Sequence, residues 1–180
     1  MVIIRAEGLE MSPEEALTQL MEENESALLG FAGRMLRDAS TAQDAVQMAF
    51  IKYNRQSYTG GEIRNPRAWL FKTVRNDCLN LLRAKKVKAE ITIDEGVNFA
   101  SGHHDSPDHG IMNHEKNQLL ITAINGLKPR AREILVLKLE HGKSYREIAE
   151  IMELSIGNVG FILHSAVNEL KNHITKELSI

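Results

Sequence analysis

A chain of 180 residues has room for one medium domain or two small ones, each near the lower limit of self-sufficient folding, and it excludes a large multidomain enzyme. With 43% hydrophobic and 26% charged residues, four prolines and 5% aromatics, the composition excludes disordered, collagen-like and all-β chains and points to an all-α fold. The net charge of −2 conceals a segregation, with −6 over residues 1–51, +8 over 52–88, −6 over 89–115 and +2 over 116–180, so that a basic block lies between two acidic ones.

The opening MVIIRAEGLEMS falls far short of a secretory hydrophobic segment, and no stretch approaches the roughly 18 apolar residues of a membrane span. The expectation is a chain neither exported nor embedded. Ser12-Pro13-Glu14-Glu15 reads as a helix start, with Ser12 as N-cap and Glu15 closing a capping box. Leu17, Leu20, Met21, Leu28, Phe31, Ala32 and Met35 recur at helical intervals, with a break expected near Asn24. Ser40 and Gln43 offer a second capping box, and Val46, Ala49, Phe50 and Tyr53 form the apolar stripe of the next helix.

Residues 56–65 hold the Gly60-Gly61 pair and read as a loop closed by Asn65-Pro66, from which a further helix reaches about Lys86. On that helix Leu70, Val74, Cys78 and Leu81 fall on one side. Lys72, Arg75, Asn76, Arg83 and Lys86 fall on the other, with Trp69 and Asn80 at the flank. The basic block is therefore a stripe. A solvated helix face is the blander reading, but cations and amides bordered by aromatics beside a loop suit a nucleic-acid backbone with bases stacked against it. Cys78 is the one cysteine; it can make no internal disulfide, it is expected to be buried, and it fits a reducing cytoplasm.

Residues 90–114 contain no Lys or Arg, show no helical period and include Gly96, Gly102, Pro107 and Gly110, which marks an acidic linker between two domains, 1–89 and 115–180. His103, His104, His109 and His114 cluster there without cysteines or i, i+4 spacing, so a polar linker is a better account than a zinc site. The helical period returns at Leu119, Leu120, Ala123, Ile124 and Leu127, and Pro129 opens a helix that stops at Gly142. Ser144 and Glu147 form a capping box, Glu153-Leu154-Ser155 a turn, and Val159, Leu163, Ala166 and Leu170 the inner side of a last helix. This pattern fits both a helix-turn-helix and a plain helical hairpin.

Together these residues resemble the sigma-70 family of bacterial RNA polymerase initiation factors, in its short extracytoplasmic-function (ECF) form. DAVQMAFIKY (44–53) looks like region 2.2, NPRAWLFKTVRNDCLNLLR (65–83) like regions 2.3 and 2.4, and residues 128–171 like region 4. The resemblance implies two small helical domains, a region 2 bundle with an N-terminal helical extension and a region 4 helix-turn-helix, joined by the flexible acidic linker. It implies that Asp44 and Gln47, short polar side chains with Phe50 behind them, serve core-polymerase binding. It assigns recognition and melting of the −10 element to Arg64, Arg67, Trp69, Lys72, Arg75, Asn76, Asn80 and Arg83. The partners implied are core RNA polymerase, promoter DNA and an anti-sigma factor. No cofactor, metal or membrane is implied.

Region 4 departs from the pattern. Family members commonly carry Lys or Arg on the outer side of the recognition helix, whereas here neither occurs between Arg146 and Lys171, and positions 160–162 read Gly160, Phe161 and Ile162. The candidates left for the −35 element are Lys143, Arg146, Ser155, Asn158, His164, Ser165 and Asn168. Phe161 and Ile162 fit a protein partner, a thymine methyl or extra core, and the sequence leaves the three open. The leading expectation is a non-enzymatic initiation factor. The alternative is a sigma-like decoy that occupies an anti-sigma factor or other regulator, and a free-standing repressor leaves residues 26–87 unexplained. No phosphate-binding glycine loop, nucleophile elbow or metal-ligand set supports an enzyme.

Overall fold

The computed structural model describes residues 5–6, 9–10, 12–59, 63–92, 122–124 and 126–178, and the chain divides into two compact units, Met1–Gly102 and His103–Ile180. Among the described residues the departure from helix is a two-residue antiparallel ribbon pairing Arg5 with Glu10 and Ala6 with Leu9.

The first unit is a bundle of α1 (Pro13–Leu36), α2 (Ala39–Tyr58) and α3 (Pro66–Thr92), each packed on the other two. Helix α1 starts where the capping box predicts: Ser12 Oγ accepts from the Glu15 N–H, and the Glu15 carboxylate accepts from the Ser12 N–H. The expected break at Asn24 does not occur. Asn24 is buried, and its Nδ2 donates to the Leu20 carbonyl at 2.8 Å, so the amide is partly satisfied within an unbroken helix. Leu28, Phe31, Ala32 and Leu36 are buried, so the C-terminal half of α1 belongs to the core.

Helix α2 is capped two residues before the expected position. Asp38 rather than Ser40 is the N-cap, its carboxylate accepting from the Thr41 N–H at 2.7 Å. Asp38 wins because Arg37 ends α1 in the left-handed conformation (φ 54°), which leaves Asp38 extended and free to cap. Helix α2 also runs to Tyr58, shortening the expected loop from its N-terminal side. Helix α3 continues past Lys86 to Thr92. The linker from residue 93 onward, its histidines, Gly60 and Gly61, and Leu119 and Leu120 lie outside the described residues.

The core of this unit is where the three apolar stripes meet. Val46, Ala49, Phe50 and Tyr53 of α2 and Ala68, Leu70, Phe71, Val74 and Cys78 of α3 are buried against α1. Phe31 and Phe71 pack as tilted rings with centroids 5.4 Å apart. At one margin, Lys52 of α2 contacts both carboxylate oxygens of Asp77 of α3, at 2.6 and 2.8 Å. This pair neutralises the acid that interrupts the basic segment of α3.

In the second unit, a helical turn at 122–124 precedes α4 (Pro129–Leu139), α5 (Tyr145–Met152) and α6 (Ile156–Leu178). Ile134, Leu135 and Leu137 of α4, Ile148, Ile151 and Met152 of α5, and Val159, Leu163, Ala166 and Leu170 of α6 form its core. Gly142 adopts φ 61°, the left-handed region that costs a glycine nothing, and turns the chain between α4 and α5. Ser144 and Glu147 make the expected capping box. Glu153, left-handed at φ 54°, ends α5, and Ser155 Oγ accepts from the Asn158 N–H to start α6. The helix-turn-helix expectation holds in this geometry, with Ala149 buried between the two helices.

Two outcomes test this packing. Phe71→Ala should lower the unfolding free energy by about 3–5 kcal/mol in urea denaturation, because it removes a fully buried ring. Hydrogen bonds from Thr41, aided by the charge of Lys85, hold the Asp38 carboxyl below its usual value. A carboxyl lowered on folding adds stability above its unfolded value and loses it as pH falls through the folded one. Asp38→Asn should keep the cap and flatten the acid limb of the stability–pH curve, measured by thermal melts between pH 3 and pH 7.

Candidate functional site

Because α3 buries Leu70, Phe71, Val74 and Cys78, the helical period turns Lys72, Asn76 and Arg83 away from the bundle. Lys72, Arg75 and Asn76 are half-buried, whereas Asn80 and Arg83 are exposed, with Arg83 Nη1 donating to Asn80 Oδ1 at 3.1 Å. This bond orients the guanidinium along the helix. Lys72 and Arg75 also take part in interactions within the fold, so they are held in place more than a freely solvated face requires. Arg64 and Arg67 are exposed at the approach to α3, whose first turn is capped by Asn65 Oδ1 accepting from the Ala68 N–H.

Trp69 is half-buried at the edge of the stripe and meets Tyr53 of α2 edge to face, with ring centroids 5.7 Å apart. Tyr53 is buried, and that burial pushes its phenol above its ordinary value. The contact fixes the Trp69 ring beside the cations while leaving part of it open. Cations, two amides and a braced indole therefore occupy one side of one helix, an arrangement suited to an unpaired strand whose phosphates follow the cations and whose bases stack or hydrogen-bond beside them.

A second face lies on α2. Asp44 and Gln47 are exposed, whereas Phe50 is only 5% exposed and belongs to the core. Phe50 repeats with Val46 at the i, i+4 interval of the buried stripe, so it stands behind this face and does not itself reach a partner. Sequence reasoning missed Met48 and Ile51, which are 47% and 59% exposed. They stand at i+4 and i+7 from Asp44, so polar and apolar groups share one outward strip of the kind a partner helix covers. An apolar residue off the core period was the signal available.

In the second unit Arg146, Ser155, Asn158, His164, Ser165 and Asn168 are exposed, and Asn168 Nδ2 lies 3.0 Å from His164 Nε2. The Ser155 hydroxyl serves the cap of α6. Lys143 does not belong with them. It is 2% exposed, because the turn at Gly142 directs its N–H back to the Leu137 carbonyl at 3.0 Å and carries the side chain inward. Phe161 is 75% exposed, which removes the extra-core reading. Among the described residues there is no group of three or more His, Cys, Asp or Glu placed to hold a metal, and no helix is long and apolar enough to cross a membrane.

Comparison with known proteins agrees with both units. Residues 20–87 match the model of sigma-70 region 2, and residues 117–170 match that of sigma-70 region 4. The chain is 28% identical over 170 residues to the RNA polymerase sigma factor YlaC of Bacillus subtilis, covering 92% of this chain and 96% of that protein. It is also 28% identical over 163 residues to the RNA polymerase sigma-H factor of Pseudomonas aeruginosa, covering 85% and 83%. Among solved structures it resembles the sigma factor RpoE of Bartonella quintana, solved with the anti-sigma factor NepR, with a TM-score of 0.69 at 22% identity and coverage of 89% and 97%. With both halves matched in order, in a bundle and a helix-turn-helix, the chain belongs to the sigma-70 family of RNA polymerase initiation factors, in its ECF form.

Proposed function

We propose that the two outward faces of the first unit divide the work of initiation, α2 holding the polymerase and α3 holding the opened −10 element. The observation that carries this reading is their separation on one rigid bundle. Asp44, Gln47, Met48 and Ile51 form a mixed strip on α2, while Lys72, Asn76, Asn80 and Arg83, with Trp69, form a basic and aromatic strip on α3. Duplex opening is assisted when an unstacked base finds an aromatic surface and its phosphates find cations, since both compensate for lost stacking. The Lys52–Asp77 pair supports this division by removing the one acid within Pro66–Thr92 that precedes Arg83 from competition with phosphate.

In this reading residues 1–89 carry the polymerase and −10 contacts, 90–114 are a linker, and 115–180 carry the upstream contact through Arg146, Asn158, His164, Ser165 and Asn168. The chain acts in the cytoplasm as a non-enzymatic subunit, and the polymerisation chemistry is its partner's. An anti-sigma factor is a further partner, a proposal supported by the complex in which the Bartonella quintana protein was solved. A second reading, a decoy that occupies such a regulator, is favoured by the absence of Lys and Arg from α6 between Ile156 and Leu170.

Run-off transcription on fragmented genomic DNA, with core polymerase from the source organism, separates the two. New RNA 5′ ends sharing an upstream motif are expected of an initiation factor, and none of a decoy. Replacing Asp44 and Gln47 together with alanine should weaken core binding about tenfold or more in a pull-down titration while the melting temperature is unchanged, as expected for contacts worth about 1 kcal/mol each. Replacing Arg75 and Arg83 together with alanine should leave core binding intact and slow promoter opening. An unchanged rate of promoter opening would remove the assignment of the stripe to DNA, whereas equal loss of core binding and opening would mark misfolding of the variant.

A further inference from the structure

We infer that Phe161 is a specificity-determining residue that reads a thymine methyl group, and that the outer face of α6 selects A·T pairs upstream of the −10 element. This rests on the proposed initiation function and adds the class of base the second unit recognises.

The inner side of α6 is filled by Val159, Leu163, Ala166 and Leu170. The period of the helix then sets Phe161 almost opposite the core, where its ring is 75% exposed and finds no cover within the described unit. Its neighbours one turn away are Gly157, Asn158, His164 and Ser165, all but Gly157 polar and all exposed, with Asn168 two turns on. A ring whose neighbours one turn away on its own helix are mostly hydrogen-bonding side chains matches the edge of a base pair, where donors, acceptors and one methyl alternate.

The chemistry of those side chains narrows the pair. Guanine is read in the major groove chiefly by bidentate Arg or Lys, and cytosine by carboxylates accepting from its amino group, whereas Asn is bidentate to adenine and apolar side chains meet the thymine methyl. Residues 156–168 contain no Arg, Lys, Asp or Glu, and the first charged side chain of the helix, the exposed Glu169, follows Asn168 in the fourth turn. Asn158, Asn168 and Phe161 are the A·T complement. Tyr145 lies over Gly160, its ring atom Cε2 3.6 Å from where a Cβ would stand, and Lys138 Nζ sits 5.5 Å from that ring's centre. The ring therefore borders the Phe161 turn as a fixed wall.

Few cations on this face do not argue against DNA, because phosphate contacts position a protein and base contacts specify. Arg146 is exposed in the first turn of α5, and a helix-turn-helix tethered to polymerase already engaged at the −10 element binds its site at high effective concentration.

The test uses holoenzyme assembled from core polymerase and the full chain, on a promoter that the wild-type protein uses, with each upstream thymine replaced singly by deoxyuridine to remove only the methyl. Wild-type holoenzyme should lose about fourfold in open-complex formation at one or two positions, the equivalent of one buried methyl at about 0.8 kcal/mol. F161A should start lower by a similar factor and be indifferent to the substitution, and F161L should retain sensitivity. Because the ring is exposed, F161A should fold normally, as its melting temperature will show. Wild-type indifference at every thymine overturns the inference, as does a methyl effect that survives in F161A. Loss of core binding or of transcription from a −10-only template in F161A would reassign the ring to a protein contact. A wild-type protein that supports no transcript overturns the initiation reading together with this one, whereas transcripts indifferent to the methyl overturn this one alone.

Discussion

Burial of Leu70, Phe71, Val74 and Cys78 of α3 against α1 and α2 is the constraint on which the rest of the first unit depends. These residues follow one another at three- and four-residue steps, so once they are inside, the opposite side of the same helix has to face outward. That opposite side carries Lys72, Asn76 and Arg83, whose charges and amides would be costly to bury. Core formation and presentation of the basic stripe are therefore one event. The Phe31–Phe71 contact links this helix to α1, and the Tyr53–Trp69 contact links it to α2 and sets the angle of the indole beside the cations.

The electrostatic pattern is refined by packing. The +8 of residues 52–88 counts Lys52 and Asp77 as a cation and an anion, yet the two meet across the α2–α3 margin at hydrogen-bond distance. Partly exposed pairs of this kind contribute little to stability. Their effect is on the field, since the acid within α3 is neutralised at the bundle's margin and the stripe is left uninterrupted. On α2 the core has the opposite influence. It claims Phe50 and leaves Met48 and Ile51 outside, next to Asp44 and Gln47, so the proposed polymerase face is mixed polar and apolar where the sequence suggested short polar groups backed by a ring.

The second unit follows the same logic with a different outcome. Its capping box at Ser144 and Glu147, the left-handed Glu153 and Gly142, and the small Ala149 build the helix-turn-helix from local signals. The outward face that this geometry presents lacks the cations common in the family and carries an exposed phenylalanine instead. Lys143, a cation that the family resemblance assigned to DNA, is drawn inside by the turn that precedes it.

The sequence by itself determined the all-α class, the two-part organisation, the start of α1, the turn at Gly142, the cap of α5, and the side of α3 that faces outward. These follow from interactions within a few residues or from a single helical period, and such information is complete in the local chain. Tertiary structure decided the rest: which of Asp38 and Ser40 caps α2, how far α2 and α3 extend, that Asp77 is neutralised, and that Lys143 is buried while Phe161 is exposed. Each depends on groups distant in the chain or on the backbone direction set by a left-handed residue. Helical periodicity gives a residue its face on a helix, and only packing shows what, if anything, covers that face.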